Sequence, residues 1–126
     1  MRIDAVGVTT RDMEKTIEFY KLLGFDFEEG VEKEDHVEPI IKKSGIRLMI
    51  DNVNIIKEIL GTDPKPANHS IFAILYDSAS EVDKIANSVK EAGYKLIKEP
   101  WDAFWGQRYA IVADPDGYKI DLFAPL

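Results

Sequence analysis

The chain has 126 residues, 45% apolar and 31% charged, a balance that suits one globular domain with a real core. A net charge of −7 argues against nucleic acid or an anionic membrane surface as partner, and the absence of cysteine excludes disulfides, thiolate metal ligands and a cysteine nucleophile. No apolar run is long enough to span a bilayer, and the opening MRIDAVGVTT lacks a signal-peptide stretch, so the cytoplasm is the expected compartment.

The first element pattern runs from Val6 to Glu29: strand, polar turn, helix, glycine, strand. Thr10 or Asp12 caps the helix, Met13, Ile17, Tyr20 and Leu23 form its apolar stripe, and Gly24 stops it. Phe25 and Phe27 then alternate as in a strand, and the runs EPIIKK and IRLMID read as two more. NIIKEILG is a candidate short helix, and GTDPKPANH, from Gly61 to His69, is a linker.

The grammar repeats from Ile71 to Glu99. Ser78 and Glu81 form a capping box, Val82, Ile85, Val89 and Ala92 a stripe, and Gly93 a stop. Met13 and Val82, Gly24 and Gly93, and Phe25 and Tyr94 are each 69 residues apart. RYAIVAD and YKIDLF supply the last two strands, joined by the tight turn DPDG. The reading is a single α+β domain over residues 1–126, made of two tandem β-α-β-β-β modules forming a curved mixed sheet with helices outside. Module 1 covers about 1–60, a linker 61–69, and module 2 70–126.

Several side chains stand out as candidate ligand-binding residues. Asp121 is a carboxylate between Ile120 and Leu122 in an apolar strand, where it needs a partner or water. Trp101, Phe104, Trp105 and Tyr109 crowd the stretch PWDAFWGQRY, read as a loop leading into a strand. Such aromatics line a small-molecule pocket or close the end of the sheet. Arg108 is either a surface arginine or a counter-ion for Asp121. His69 is either a displaced ligand or a half-exposed histidine at a loop–strand junction. His36, within VEKEDHVE, lies in a solvated charged stretch.

FYKLLGFDF and FWGQRYAIVADPDGYKIDLFAPL resemble the vicinal oxygen chelate superfamily, the group of glyoxalase I, bleomycin-resistance proteins and extradiol dioxygenases. The resemblance covers nearly the whole chain. It implies four metal-ligand positions, which fall here on Ala5, Met49, Ile71 and Asp121. Ala and Ile offer no donor, and the Met thioether suits only soft ions, so the expected metal ligands and cofactors are none. The resemblance also implies a homodimer. The leading expectation is a metal-independent binder of an aromatic or cationic small molecule, as in bleomycin resistance. The alternatives are a glyoxalase-like lyase, isomerase or dioxygenase with a displaced metal site that draws on His69 or His36, and a module without a small ligand.

Overall fold

A computed structural model describes residues 1–40 and 45–126 of the chain, which divides into two compact units, Met1–Lys65 and Pro66–Leu126.

In the first unit, β1 (Ala5–Thr10) leads into α1 (Met13–Leu22). Asp12 caps α1 by accepting the Lys15 amide, and the Thr10 and Thr16 hydroxyls bond each other at 2.7 Å in the interior. Met13, Ile17, Tyr20 and Leu23 are buried as the stripe requires, and Phe19 joins them. A single 3-10 turn (Val31–Lys33) and the two-residue β2 (His36–Val37) follow. β3 (Arg47–Asn52) runs parallel to β1 and antiparallel to β2, and α2 (Val53–Leu60) ends at Gly61 with φ +78°. The sheet order is β1-β3-β2.

The segment after Gly24 does not form the expected strand. Phe25 and Phe27 are half-buried, and the Ile40 N–H donates to the Asp26 carbonyl at 2.8 Å, but no strand ladder includes this segment among the described residues. Alternation gives a segment a face, yet a ladder needs a partner along its length. The run EPIIKK is irregular over Glu38–Ile40, and its remainder lies outside the described residues.

In the second unit, β4 (Ser70–Leu75) leads to α3 (Ala79–Glu91), then β5 (Lys95–Ala103), β6 (Gln107–Ala113) and β7 (Lys119–Pro125). The order is β4-β7-β6-β5, with β4 and β7 parallel and the rest antiparallel. Ser78 caps α3 by accepting the Glu81 amide at 3.2 Å. Helix α3 lies on β5, β6 and β7, with Val82, Ala86 and Val89 fully buried, as are Ala110, Val112, Ile120, Leu122 and Ala124 of the sheet. Ala86 takes the place expected of Ala92, which caps the helix and is exposed. The α+β class and the two-module plan are as read from the sequence, with the described strands in two mixed sheets of three and four.

Candidate functional site

The second unit's sheet has one face under α3, and within that unit, among the described residues, its other face carries no helix. Residues paired across strands share a face, so the register places the side chains of this helix-free face in rows. One row is Lys98, Ile111, Asp121 and Ala73; the next is Trp101, Tyr109, Phe123 and Leu75. The aromatic residues and Asp121 thus meet because β5, β6 and β7 put them side by side.

The stretch carrying the tryptophans is not the loop that Pro100 and Gly106 suggested. Trp101 to Ala103 belong to β5, and only Phe104, Trp105 and Gly106 form the turn to β6. Gly106 has φ +91°, and its N–H bonds the Ala103 carbonyl at 3.0 Å, the geometry of a three-residue hairpin loop closed by a left-handed residue. Pro100 is tolerated because β5 is an edge strand with a register shift between Lys98 and Trp101.

Trp105 folds back from the turn. Its indole N–H donates to Gln107 Oε1 at 2.8 Å, and its ring meets those of Trp101 and Tyr109 edge-on, with centroids 6.2 and 5.4 Å apart. Tyr109 also stacks on Phe123 at 5.8 Å. Lys98 lays its ammonium over the Trp101 ring, 4.3 Å from the centroid. Phe104 extends beyond this wall at 97% exposure, while Trp101 and Tyr109 are half-buried within it.

Asp121 has two internal donors. The Ser70 hydroxyl donates to Oδ1, and the Tyr109 hydroxyl donates to Oδ2 at 2.5 Å. Burial, and then the hydrogen bond and charge of Asp121, push the Tyr109 phenol up to about 12, so it stays a protonated donor across the physiological range. A carboxylate has roughly four acceptor sites, so room remains for a donor from a ligand.

Other candidates lie elsewhere. Arg108 binds Asp83 at 2.8 Å and Asp102 at 3.1 Å, which ties β6 to α3 and β5, and no ion pair joins it to Asp121. His69 is exposed, and its Nδ1 lies 2.9 Å from the Ser70 carbonyl, with no hydrogen bond to Asp121. Ser70, Lys98, Gln107 and Phe123 were not singled out from sequence. Phe123 was accessible through its two-residue spacing from Asp121. Ser70 was not, because it depends on a bulge at Ser70–Phe72 that pairs Ser70, rather than Ile71, with Lys119.

In the first unit, His36 is held on both sides: Nδ1 lies 2.5 Å from Asp51 and Nε2 2.8 Å from Glu38. Arg47 continues the chain, 2.7 Å from Glu38 and 2.8 Å from Asp4. The hydrogen bonds to Glu38 and Asp51 raise the His36 pKa, favouring an imidazolium, which has no lone pair for a metal.

A model of the Glyoxalase/Bleomycin resistance protein/Dioxygenase superfamily matches residues 2–122. The chain belongs to this superfamily. No curated protein sequence matches it. Among solved structures, a hypothetical protein from S. aureus shares 22% identity, with 98% of this chain and 94% of that one covered, at a TM-score of 0.80. A glyoxalase/bleomycin resistance protein/dioxygenase family enzyme from Burkholderia phytofirmans PsJN shares 20% over the full length of both chains, at 0.79. A glyoxalase-related enzyme from Fulvimarina pelagi shares 19%, covering 98% of this chain and 88% of that one, at 0.82. At these identities the likeness is one of fold.

At the four positions that the resemblance implies, the side chains do not fit the superfamily's metal. Ala5 and Met49 occupy one face of the first unit's sheet, where Met49 pairs with Gly7 and Ala5 with Arg47. In the second unit Ile71 falls in the bulge, and both Asp121 oxygens are engaged by hydroxyls. Among the described residues no three His, Cys, Asp or Glu side chains converge as a ligand set.

Proposed function

We infer that this superfamily member is a metal-independent small-molecule-binding protein. It holds a flat, partly aromatic ligand bearing a positive group against Trp101, Trp105 and Tyr109, with Asp121 as the anchor. The observation that carries this reading is the position of Asp121. Its carboxylate is fixed by Ser70 and Tyr109 in the row next to Trp101, Tyr109 and Phe123, so one ligand reaches both the aromatic rings and the anion. Sequestration needs affinity alone, which stacking, cation–π attraction and one charged hydrogen bond supply without a metal.

Both tryptophans of the chain lie on this wall, so intrinsic fluorescence reports on it directly. Titration with planar cationic compounds is expected to quench the emission. Trp105→Ala is expected to weaken binding roughly tenfold, equivalent to about 1.4 kcal/mol. Asp121→Asn is expected to weaken cationic compounds more than neutral ones of the same shape. If no compound quenches either tryptophan or raises the Tm, the binding reading fails. If the purified protein carries near one equivalent of Zn, Ni, Mn or Fe that Asp121→Ala removes, the metal-dependent enzyme replaces it.

A further inference from the structure

We propose that the ligand of this face is a zwitterion, a planar molecule with an anionic group as well as a cationic one, whose anionic end is taken by Lys98. The proposal rests on the binding reading above and extends it to the ligand's second charge. Lys98, Ile111 and Asp121 occupy one register row across β5, β6 and β7. Their alignment sets the Lys98 and Asp121 backbones two strand spacings apart, about 10 Å. Opposite charges therefore flank the half-buried, apolar Ile111, and the aromatic row Trp101–Tyr109–Phe123 runs alongside.

Two features of Lys98 make it an anion site rather than an ordinary surface lysine. Although the residue is exposed, its ammonium lies over Trp101, on the same wall that would receive the ring. Among the described residues no carboxylate pairs with it, in a chain with 23 acidic residues against 16 basic ones. Lys90 and Arg108, on neighbouring elements, are each paired with an acid. A ring stacked on the wall with its amine on Asp121 presents its far end to Lys98, which needs only a rotation about its own stem to meet it. A single exposed ion pair contributes little on its own. Two charges on one rigid ring contribute more, because the ordering cost is met once for both.

Lys119 is the competing cation. It lies two residues before Asp121 on the same face, pairs across to Ser70, and forms no ion pair with Asp121. The two lysines make opposite forecasts for which end of the site holds the anion, so they can be told apart.

The experiment uses four compounds on one ring: 4-(aminomethyl)benzoate, benzylamine, benzoate and 4-methylbenzyl alcohol. Binding is read from the two tryptophan indole N–H signals in 1H–15N spectra of the intact protein. The zwitterion is expected to bind about tenfold tighter than benzylamine or benzoate. Lys98→Met is expected to remove the advantage of the zwitterion over benzylamine, and added salt to narrow that gap in the parent protein. Lys98 is exposed, so this variant leaves the fold intact. The proposal is overturned if benzylamine binds as well as the zwitterion, if Lys98→Met leaves the gap in place, or if Lys119→Gln closes it instead. In those cases the binding site itself stands. If none of the four compounds moves either indole signal, the binding reading falls, and this proposal with it.

Discussion

The His36 ring shows how a single residue can set a pH dependence. On every side it faces charge: Asp51 from β3, Glu38 just after β2, and beyond Glu38 the Arg47 guanidinium and Asp4. The Glu38 and Asp51 hydrogen bonds raise its pKa above the ordinary 6.5, while His36 and Arg47 lower that of Glu38 and Arg47 lowers that of Asp4. A raised folded-state value stabilises the fold fully below pH 6.5, and that contribution is lost as pH rises through the folded value. The carboxylates act in the opposite sense, losing their contribution as pH falls below the ordinary carboxylate range. Stability measured by urea unfolding is therefore expected to decline above pH 6.5 in the native protein. His36→Gln is expected to flatten that limb of the profile, and an undiminished slope in the variant would rule the clamp out. None of this was legible at the residue itself: VEKEDHVE reads as a solvated charge run, and the partner Asp51 is fifteen residues away across a pairing formed, among the described residues, by His36 and Val37.

At the scale of elements, what was legible followed from local chemistry. Asp12 and Ser78 cap their helices because an oxygen at that position accepts an amide three residues on. Gly24 and Gly93 follow the helix ends with φ +108° and +87°. The illegible parts depended on partners distant in sequence. Phe25 and Phe27 have the alternation of a strand, yet no ladder pairs them among the described residues. Pro100 and Gly106 look like the ends of a loop, although an edge strand accommodates the first and a hairpin turn needs the second. Asp121 itself was visible as a carboxylate in an apolar strand, whereas its donors Ser70 and Tyr109 required the register of β4, β6 and β7. The hairpin gives a direct test. A Cβ at Gly106 would meet nothing within 4 Å, so Gly106→Ala changes only backbone strain at φ +91°. It is expected to cost about 1–2 kcal/mol and to red-shift tryptophan emission as Trp105 leaves the Tyr109 ring. A variant as stable as the parent, with unchanged emission, would show that the turn does not set the position of Trp105.

For the whole molecule, the uncovered surfaces bear on assembly. Among the described residues, β4 and β5 each have one neighbour in the second unit's sheet, and so do β1 and β2 in the first unit's sheet. Open edges promote pairing with another chain unless charge or cover blunts them. Leu75 lies exposed on edge strand β4, and Ile59 and Leu60 lie exposed on α2, with relative exposures of 63%, 74% and 61%. No helix among the described residues is long and apolar enough to cross a membrane. We expect a two-fold homodimer in which these apolar positions lose water. Against it stands the chain's charge of −7, which doubles on association and repels. Screening reduces that repulsion over a Debye length of about 10 Å at 0.1 M salt, so the dimer is expected to tighten as salt rises. Apolar burial sets the affinity and charge sets its ionic-strength dependence, and the two are separable. Sedimentation at micromolar concentration is expected to give twice the chain mass at 0.3 M salt and a larger monomer fraction at 0.02 M. Leu75→Lys or Leu60→Lys is expected to shift the balance towards monomer at both. A monomer at every salt concentration, or a dimer indifferent to both substitutions, would remove these surfaces from the interface.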